Sequence, residues 1–469
     1  MVNLTKLTRY HSIVLAFDKI FYLLLSVGTA RYFTVGEFGE FQTIIFQVGI
    51  LATCIGSSLP YVINNYVKSD LIKLKFVFLY AFIISTLFLL VVLISSFVAM
   101  QSEVSDFLLL VFPLLLFQIL LPLSKQAFII SERITYSIIV NLVLYPVSLF
   151  CMYCLYLQNN LNTESTVRLL TILYASIFVF SFLVNSRVKG GTFPSIFSIK
   201  LSAYKSLAVT ISVISISALY ENLDQLFVSW VYSSETFALY RIGNFRLPFI
   251  EIVTGSLAAV LIAKVPSMIK NDDFDLLKKE WKAVTSKNTQ LLLPIIIFCI
   301  FTPSYAIQFI FGDKYVEAAI IYSVYLSKFL LASITIAPVI ISLGGGGELS
   351  RLYLIFTVLE LFLLYAIYNF FHNNVLIIVI LALLFQYIMV FLQARYLKIK
   401  HGIRFLEVFD IRVFIKTLII SISLSILFLF LLSYFSFGYI YTYPFFAVLY
   451  YVLVQLVMGK LNDSISIRR

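Results

Sequence analysis

Runs of about twenty apolar residues, each long enough to cross a bilayer as a helix, follow one another along almost the whole chain. They fall at 10–32, 41–66, 76–99, 107–129, 135–157, 167–186, 204–232, 240–264, 288–310, 317–342, 351–371, 375–395, 413–434 and 443–459. The polar stretches between them are short, and no soluble domain is inserted. The pattern predicts an all-α integral membrane protein of about 14 transmembrane helices.

The positions of Lys and Arg orient those helices. With the N-terminus cytoplasmic, every second polar stretch is basic: Lys68, Lys73 and Lys75; Lys125 and Arg133; Arg187, Lys189, Lys200 and Lys205; Lys264 to Lys287; Arg351; and Arg395 to Lys416. Of the 34 basic residues only Arg31, Arg168, Arg241 and Lys314 fall at outer ends, while Lys19, Arg246 and Lys328 lie within spans. This alternation obeys the positive-inside rule and places both termini in the cytoplasm. Two inner stretches are longer than the rest. One is predicted to carry a short amphipathic surface helix over 272–281, and the other, 395–412, sets Phe405, Val408 and Phe409 among charges. Both read as linkers held by apolar side chains against anionic lipid.

Composition closes off the soluble classes. The chain is 61% hydrophobic and 12% charged, against about 45–50% and about 25% in soluble proteins. Its net charge of +11 would suit nucleic acid, but the excess sits in the inner loops, so no nucleic-acid partner is expected. Cys54, Cys151, Cys154 and Cys299 all lie in apolar segments, which argues against a disulfide framework. Cys151 and Cys154 form C-x-x-C inside a predicted membrane helix, where they read as two small apolar residues one turn apart. Asp18 and Lys19 interrupt the first apolar run, so it is predicted to stay as a membrane helix and not to be cleaved as a signal peptide.

Ionisable groups inside spans are costly and mark function by default. At about 1.5 Å per residue, Asp18, Lys19, Glu221, Glu251, Lys328 and Glu360 fall near mid-span, and Asp224 and Arg246 nearer the outer side. Glu221 and Asp224, three residues apart, are predicted to share one helix face. The competing account is that these charges pair, for example Asp18 or Glu221 with Lys19 or Lys328, and fix helix packing. Enzyme signatures are lacking. His11, His372 and His401 have no metal-binding spacing, and Gly344–Gly347 lacks the Gly-Lys-Ser/Thr of a phosphate loop and reads as an inner turn. No cofactor, metal or ATP is expected, and no catalysis.

A weak internal repeat is also present. Val35-Gly36-Glu37-Phe38-Gly39-Glu40-Phe41 and Ser234-Glu235-Thr236-Phe237-Ala238-Leu239-Tyr240 match at an offset of 199 residues, each at an outer turn that opens a helix. Such duplication is common in secondary transporters, with the substrate between the halves. The Glu37-Phe38-Gly39 turn, the helix start after a basic inner loop and Phe311-Gly312-Asp313-Lys314-Tyr315 resemble the polysaccharide-export branch of the multidrug/oligosaccharidyl-lipid/polysaccharide exporter superfamily. Within that branch the chain is most similar to Wzx-type O-antigen flippases.

The resemblance implies two six-helix lobes, here 1–200 and 201–398, around a central cavity, with 399–469 forming two further helices and a cytoplasmic tail. It also implies passage of an undecaprenyl-diphosphate-linked oligosaccharide, the O-antigen repeat unit, from the cytoplasmic to the periplasmic leaflet of the bacterial inner membrane. The polysaccharide polymerase and chain-length machinery are the implied partners. On that expectation Lys19, Arg246 and Lys328, with Arg31 and Arg241 at the outer mouth, neutralise the diphosphate by charge-assisted hydrogen bonds. Asp18, Glu221, Asp224, Glu251 and Glu360 couple transport to an ion gradient, and Asn64, Asn65, Asn141 and Asn244 meet sugar hydroxyls. Two other readings share the pattern. A cation-coupled drug or metabolite antiporter would have twelve helices, and a membrane glycan polymerase or ligase would carry a large outer loop. A peptidoglycan-precursor flippase differs from the first reading only in substrate.

Overall fold

The structure, a computed structural model, describes residues 4–56, 82–83, 86, 103–130, 134–186, 212–255, 261, 265, 268, 273–331, 334, 336–371, 374–434 and 439–466. Most of the predicted span 76–99, the start of 204–232 and the inner loops around Lys68 and Lys189 lie outside them, as do Asn64 and Asn65. Among the described residues the chain is helical throughout, joined by short turns, and seven helices are long and apolar enough to cross a membrane. Two compact units emerge, 1–235 with 346–358, and 236–345 with 359–469.

In the first unit, α1 (Leu4–Tyr32), α2 (Val35–Gly56), α3 (Glu103–Ile130), α4 (Ile134–Leu157) and α5 (Thr163–Ser186) pack α3 on α5, α2 on α3 and α1 on α4. Small residues let backbones approach in the absence of a hydrophobic drive between helices. Gly56 is an example, since a Cβ there would sit 2.5 Å from the Ile119 carbonyl oxygen. Around it Ala52, Ile119, Leu120, Leu123 and Ala127 are buried under Phe178 and Phe182. Between α4 and α5 the turn is short, and Asn162 caps α5 by accepting the Ser165 N–H at 2.8 Å.

The internal repeat is geometric as well as textual. α1 ends at Tyr32 and α2 begins at Val35; α6 (Leu223–Val231) ends 199 residues later and α7 (Ser234–Gly243) begins at the equivalent place. Phe38 and Phe41 match Phe237 and Tyr240, and all four are buried. At the first copy Thr34 and Glu37 form a capping box, the Glu37 carboxylate accepting the Thr34 N–H at 2.9 Å and the Thr34 hydroxyl accepting the Glu37 N–H at 3.3 Å. Within the first unit a Cβ on Gly39 would lie 1.9 Å from the Ser234 carbonyl oxygen.

The second unit is built on α8 (Phe274–Phe301), a single helix of 28 residues. The separate surface helix expected over 272–281 is instead the first turns of this rod. Leu277 and Trp281 on those turns are fully buried, because the other long inner stretch covers them. That stretch forms α14 (Phe405–Val408) after α13 (Val375–His401), whose end is turned by Gly402 at φ 66°. Lys278 pairs with Glu407 at 3.7 Å and Lys282 with Asp410 at 3.6 Å. The two predicted linkers thus pack on one another, with Trp281, Val408 and Phe409 all buried.

Past Thr302 the expected span 288–310 breaks and restarts at Pro303 as α9 (Pro303–Phe311). The last two long helices, α15 (Ile411–Tyr434) and α16 (Tyr439–Ser466), pack against α8. Pro294 explains how. It has no N–H to offer the Gln290 carbonyl one turn back, and the Gln455 side chain donates to that carbonyl at 2.9 Å. The Tyr450 hydroxyl lies 3.0 Å from the Pro294 carbonyl and 3.1 Å from that of Ser421. Thr417, Ser421 and Ser425 keep α15 narrow along this contact and are all buried. The outward side chains of α12 (Gly346–Phe370) and α13, among them Phe362, Tyr365 and Phe391, are exposed as lipid-facing positions should be.

Gly39→Ala is expected to lower stability by about 1–3 kcal/mol, since backbone and not a flexible side chain blocks the new methyl. Gly347→Ala, with open space around it, is the control. Thermal denaturation in detergent should show a drop in Tm for the first and none for the second.

Candidate functional site

Where charges enter the apolar helices, the structure either pairs them or breaks the helix. The clearest assembly is on α1. Asp18 is 5% exposed, and one carboxylate oxygen is 2.5 Å from the Lys125 ammonium on α3. The other oxygen accepts the Tyr145 hydroxyl at 2.6 Å and the Asn141 amide at 3.4 Å, both from α4. Asn141 and Tyr145 are one turn apart, as are Asp18 and Tyr22, so the α1–α4 contact brings the set into register. Phe21 stacks on Tyr145 at 4.2 Å, and the Tyr22 and Tyr174 hydroxyls are 2.8 Å apart. A charge buried in hydrocarbon is tolerable only with such partners.

Sequence reasoning expected Asp18 to meet Lys19 or Lys328 and put Lys125 in an inner loop. Lys125 is instead helical and the cationic partner. The signal was present: Lys125 lies inside the apolar run 107–129, four residues from its end. Lys19 is half-buried beside Asp18 on α1, and Arg31 is exposed at the end of that helix.

The stretch around Glu221 differs from a continuous span. The helix is interrupted at Asn222, with φ −126° and ψ 12°, so Glu221 and Asp224 stand on either side of a break and not on one regular helix face. Asp224 and Gln225 are buried, and Glu221 is half-buried. The next expected span, 240–264, is broken too. α7 stops at Gly243, residues 244–247 are irregular, and helix resumes at Pro248. Arg246 in this break lies 3.7 Å from Glu251, both about 30% exposed, so a residue expected to bind phosphate and one expected to couple ions form a pair. Arg241 is half-buried on α7.

A third expected span, 317–342, is also discontinuous. It runs as a 3-10 turn over Asp313–Ala318, α10 (Ala319–Leu326), a second 3-10 turn over Ser327–Leu331, and then α11 (Ala337–Ser342). Lys328 sits on the second 3-10 turn with its ammonium 5.2 Å from the Tyr325 ring centre, a cation–π distance. Leu247, Phe249, Phe329 and Leu330 gather on the buried cluster of Ile250, Leu292 and Ile296. Two of the interrupted helices therefore meet against α8. Backbone that leaves the helix at membrane depth is tolerated only inside protein or along a water-filled cavity. Glu360 on α12 is 2% exposed. Asn244 is buried with neither end of its amide hydrogen-bonded among the described residues. No cluster of metal-ligating side chains occurs among those residues, and the four cysteines are free thiols.

Long apolar helices, small-residue contacts, buried ion pairs and interrupted helices in both units define a multi-pass membrane protein. Residues 29–320 match the polysaccharide biosynthesis protein family, and the chain belongs to that family. Its fold is that of the multidrug/oligosaccharidyl-lipid/polysaccharide exporter superfamily. It is similar to the lipid II flippase MurJ in an inward closed conformation, with a TM-score of 0.66, 16% identity, and 97% of this chain and 99% of that chain covered. The Vibrio cholerae MATE transporter VcmN matches with a TM-score of 0.54 and 13% identity over 85% of this chain and 98% of that one. A superfamily transporter from Pyrococcus furiosus matches with a TM-score of 0.57 and 10% identity over 84% and 95%. No curated protein matches the sequence at a significant level.

Replacing one partner of the Asp18–Lys125 pair strands the other in hydrocarbon. Lys125→Met is expected to cost about 1–3 kcal/mol, less than for a sealed pair because the lysine is partly open to solvent. Adding Asp18→Asn should recover most of the loss. A double-mutant cycle by thermal denaturation measures this, and equal Tm values for the single and double variants would remove the pairing from the argument.

Proposed function

We propose that this protein flips an undecaprenyl-diphosphate-linked oligosaccharide, the O-antigen repeat unit, from the cytoplasmic to the periplasmic leaflet of the bacterial inner membrane. The observation that carries the reading is the reach of the fold likeness. The lipid II flippase covers 97% of this chain, whereas the MATE transporters cover 83–85%. That difference is about the length of the α15–α16 pair. A fold shared to its full length with a carrier of lipid-linked sugar favours a lipid-linked substrate over a drug, and the polysaccharide biosynthesis family supplies the glycan.

Fourteen helices, arranged as two six-helix lobes plus the terminal pair with both ends cytoplasmic, complete the reading. Lys19, Arg241, Arg246 and Lys328, with Arg31 at the outer mouth, are its candidates for the diphosphate, and Asn141 and Asn244 for sugar hydroxyls. Glu221, Asp224, Glu251 and Glu360 are its candidates for ion coupling. The polymerase and chain-length machinery would receive the flipped unit.

Deleting the gene should abolish surface polysaccharide and leave single-repeat lipid-linked units on the cytoplasmic side. Unchanged surface glycan with new sensitivity to dyes or drugs would install the antiporter reading. Units that cross but fail to polymerise would point to an enzyme. Accumulation of lipid II in place of lipid-linked glycan would identify the peptidoglycan precursor as the cargo. In the complemented strain, Glu221→Gln is expected to lose at least about tenfold in export at unchanged protein level, a loss of about 1.4 kcal/mol in the driving step. Wild-type export would remove Glu221 from the coupling set.

A further inference from the structure

Asp18 was expected to carry a coupling ion, yet the chain supplies a cation to it in contact distance. Its two oxygens face Lys125 on α3, Tyr145 and Asn141 on α4; behind these stand Tyr22 on α1 and Tyr174 on α5, and Lys19 is its neighbour in sequence. We propose that Lys125 is a tethered counter-cation which occupies the place a mobile Na+ would take at Asp18, so that this carboxylate does not bind that ion.

The argument is one of local concentration. An ammonium 2.5 Å from a buried carboxylate, fixed there by a folded helix, has no translational entropy left to lose. Prepositioned groups of this kind act at effective concentrations far above the roughly 0.1 M of a free cation in solution. Two unit charges in contact also leave the apolar surroundings with no net charge to solvate, where a lone carboxylate would have to recruit a cation or a proton. The other oxygen is already saturated by the Tyr145 hydroxyl and the Asn141 amide. Replacing the ammonium with Na+ would therefore break the Lys125 contact and gain nothing in exchange.

The remainder of the shell shows what would happen without the lysine. Carboxylate oxygens are the ligand type that hard cations take. Without the ammonium the Asp18 oxygen it faces would stand vacated, while the other oxygen keeps the Tyr145 hydroxyl and the Asn141 amide N–H. Lys125 is thus a specificity residue, because its presence decides whether the α1 carboxylate is an ion pair or an ion site. This inference deepens the coupling part of the transporter reading and assigns coupling to carboxylates other than Asp18. Its test uses no substrate, so it can fail while the flippase reading stands, or stand while that reading fails.

The experiment is thermal denaturation of the full-length protein in detergent, in choline chloride and in 100 mM NaCl. The wild type should show no Na+-dependent change in Tm. Lys125→Met should gain a Na+-dependent rise of at least about 2 °C, since a ligand that binds only the folded state shifts Tm by mass action. Asp18→Asn with Lys125→Met should lose that response. Lys125→Gln serves in the same role if the methionine variant does not fold. A Na+-dependent rise in the wild type that Asp18→Asn abolishes would overturn the proposal, as would a lysine-free variant indifferent to Na+.

Discussion

Hydrocarbon offers no hydrogen bonds, and most of this structure follows from that one deprivation. A carbonyl, amide or charge carried into the bilayer must be answered by another part of the chain or by water in a cavity. The Gln290 carbonyl, released by Pro294, is answered by Gln455, and the Pro294 carbonyl by Tyr450. Asp18 is answered three times, by Lys125, Tyr145 and Asn141. These contacts join helices distant in sequence, so the need to satisfy polar groups also selects which helices become neighbours. Apolar side chains cannot make that selection, since lipid tails suit them as well as protein does.

The same constraint divides what the sequence reveals from what it hides. Helix class was legible, because about twenty apolar residues in succession allow few other structures. The repeat was legible at its two helix starts, where Phe38 and Phe237 keep the same burial across 199 residues. The interruptions were not. Asn222, Asn244 and the 3-10 turn around Lys328 lie in runs whose mean polarity is too low to register, and a helix can break over one to four residues without changing it. Pro248 and Pro303 were the available signs, each opening a new helix segment.

The candidate site was legible as a list of charges and not as a set of partners. Asp18, Arg246 and Glu251 were all singled out, but the pairs they form were not. Spacing along one helix constrains partners one turn away, whereas the Asp18 partner lies 107 residues on. Lys125 was overlooked because a lysine near the end of an apolar run looks like the start of a loop. Its proximity to Ser124, which is buried against Ser181 of α5, marks that turn as interior.

The 28-residue α8 has a mechanical consequence. At 1.5 Å per residue it is about 42 Å long, against about 30 Å of hydrocarbon. Its excess length is gripped at one end by Glu407 and Asp410 of the segment between α13 and α15, and further along its length by Tyr450 and Gln455 of α16. A rod held at two heights behaves as a lever. A tilt imposed where α14 clasps the rod is carried along it to the stretch that α16 holds.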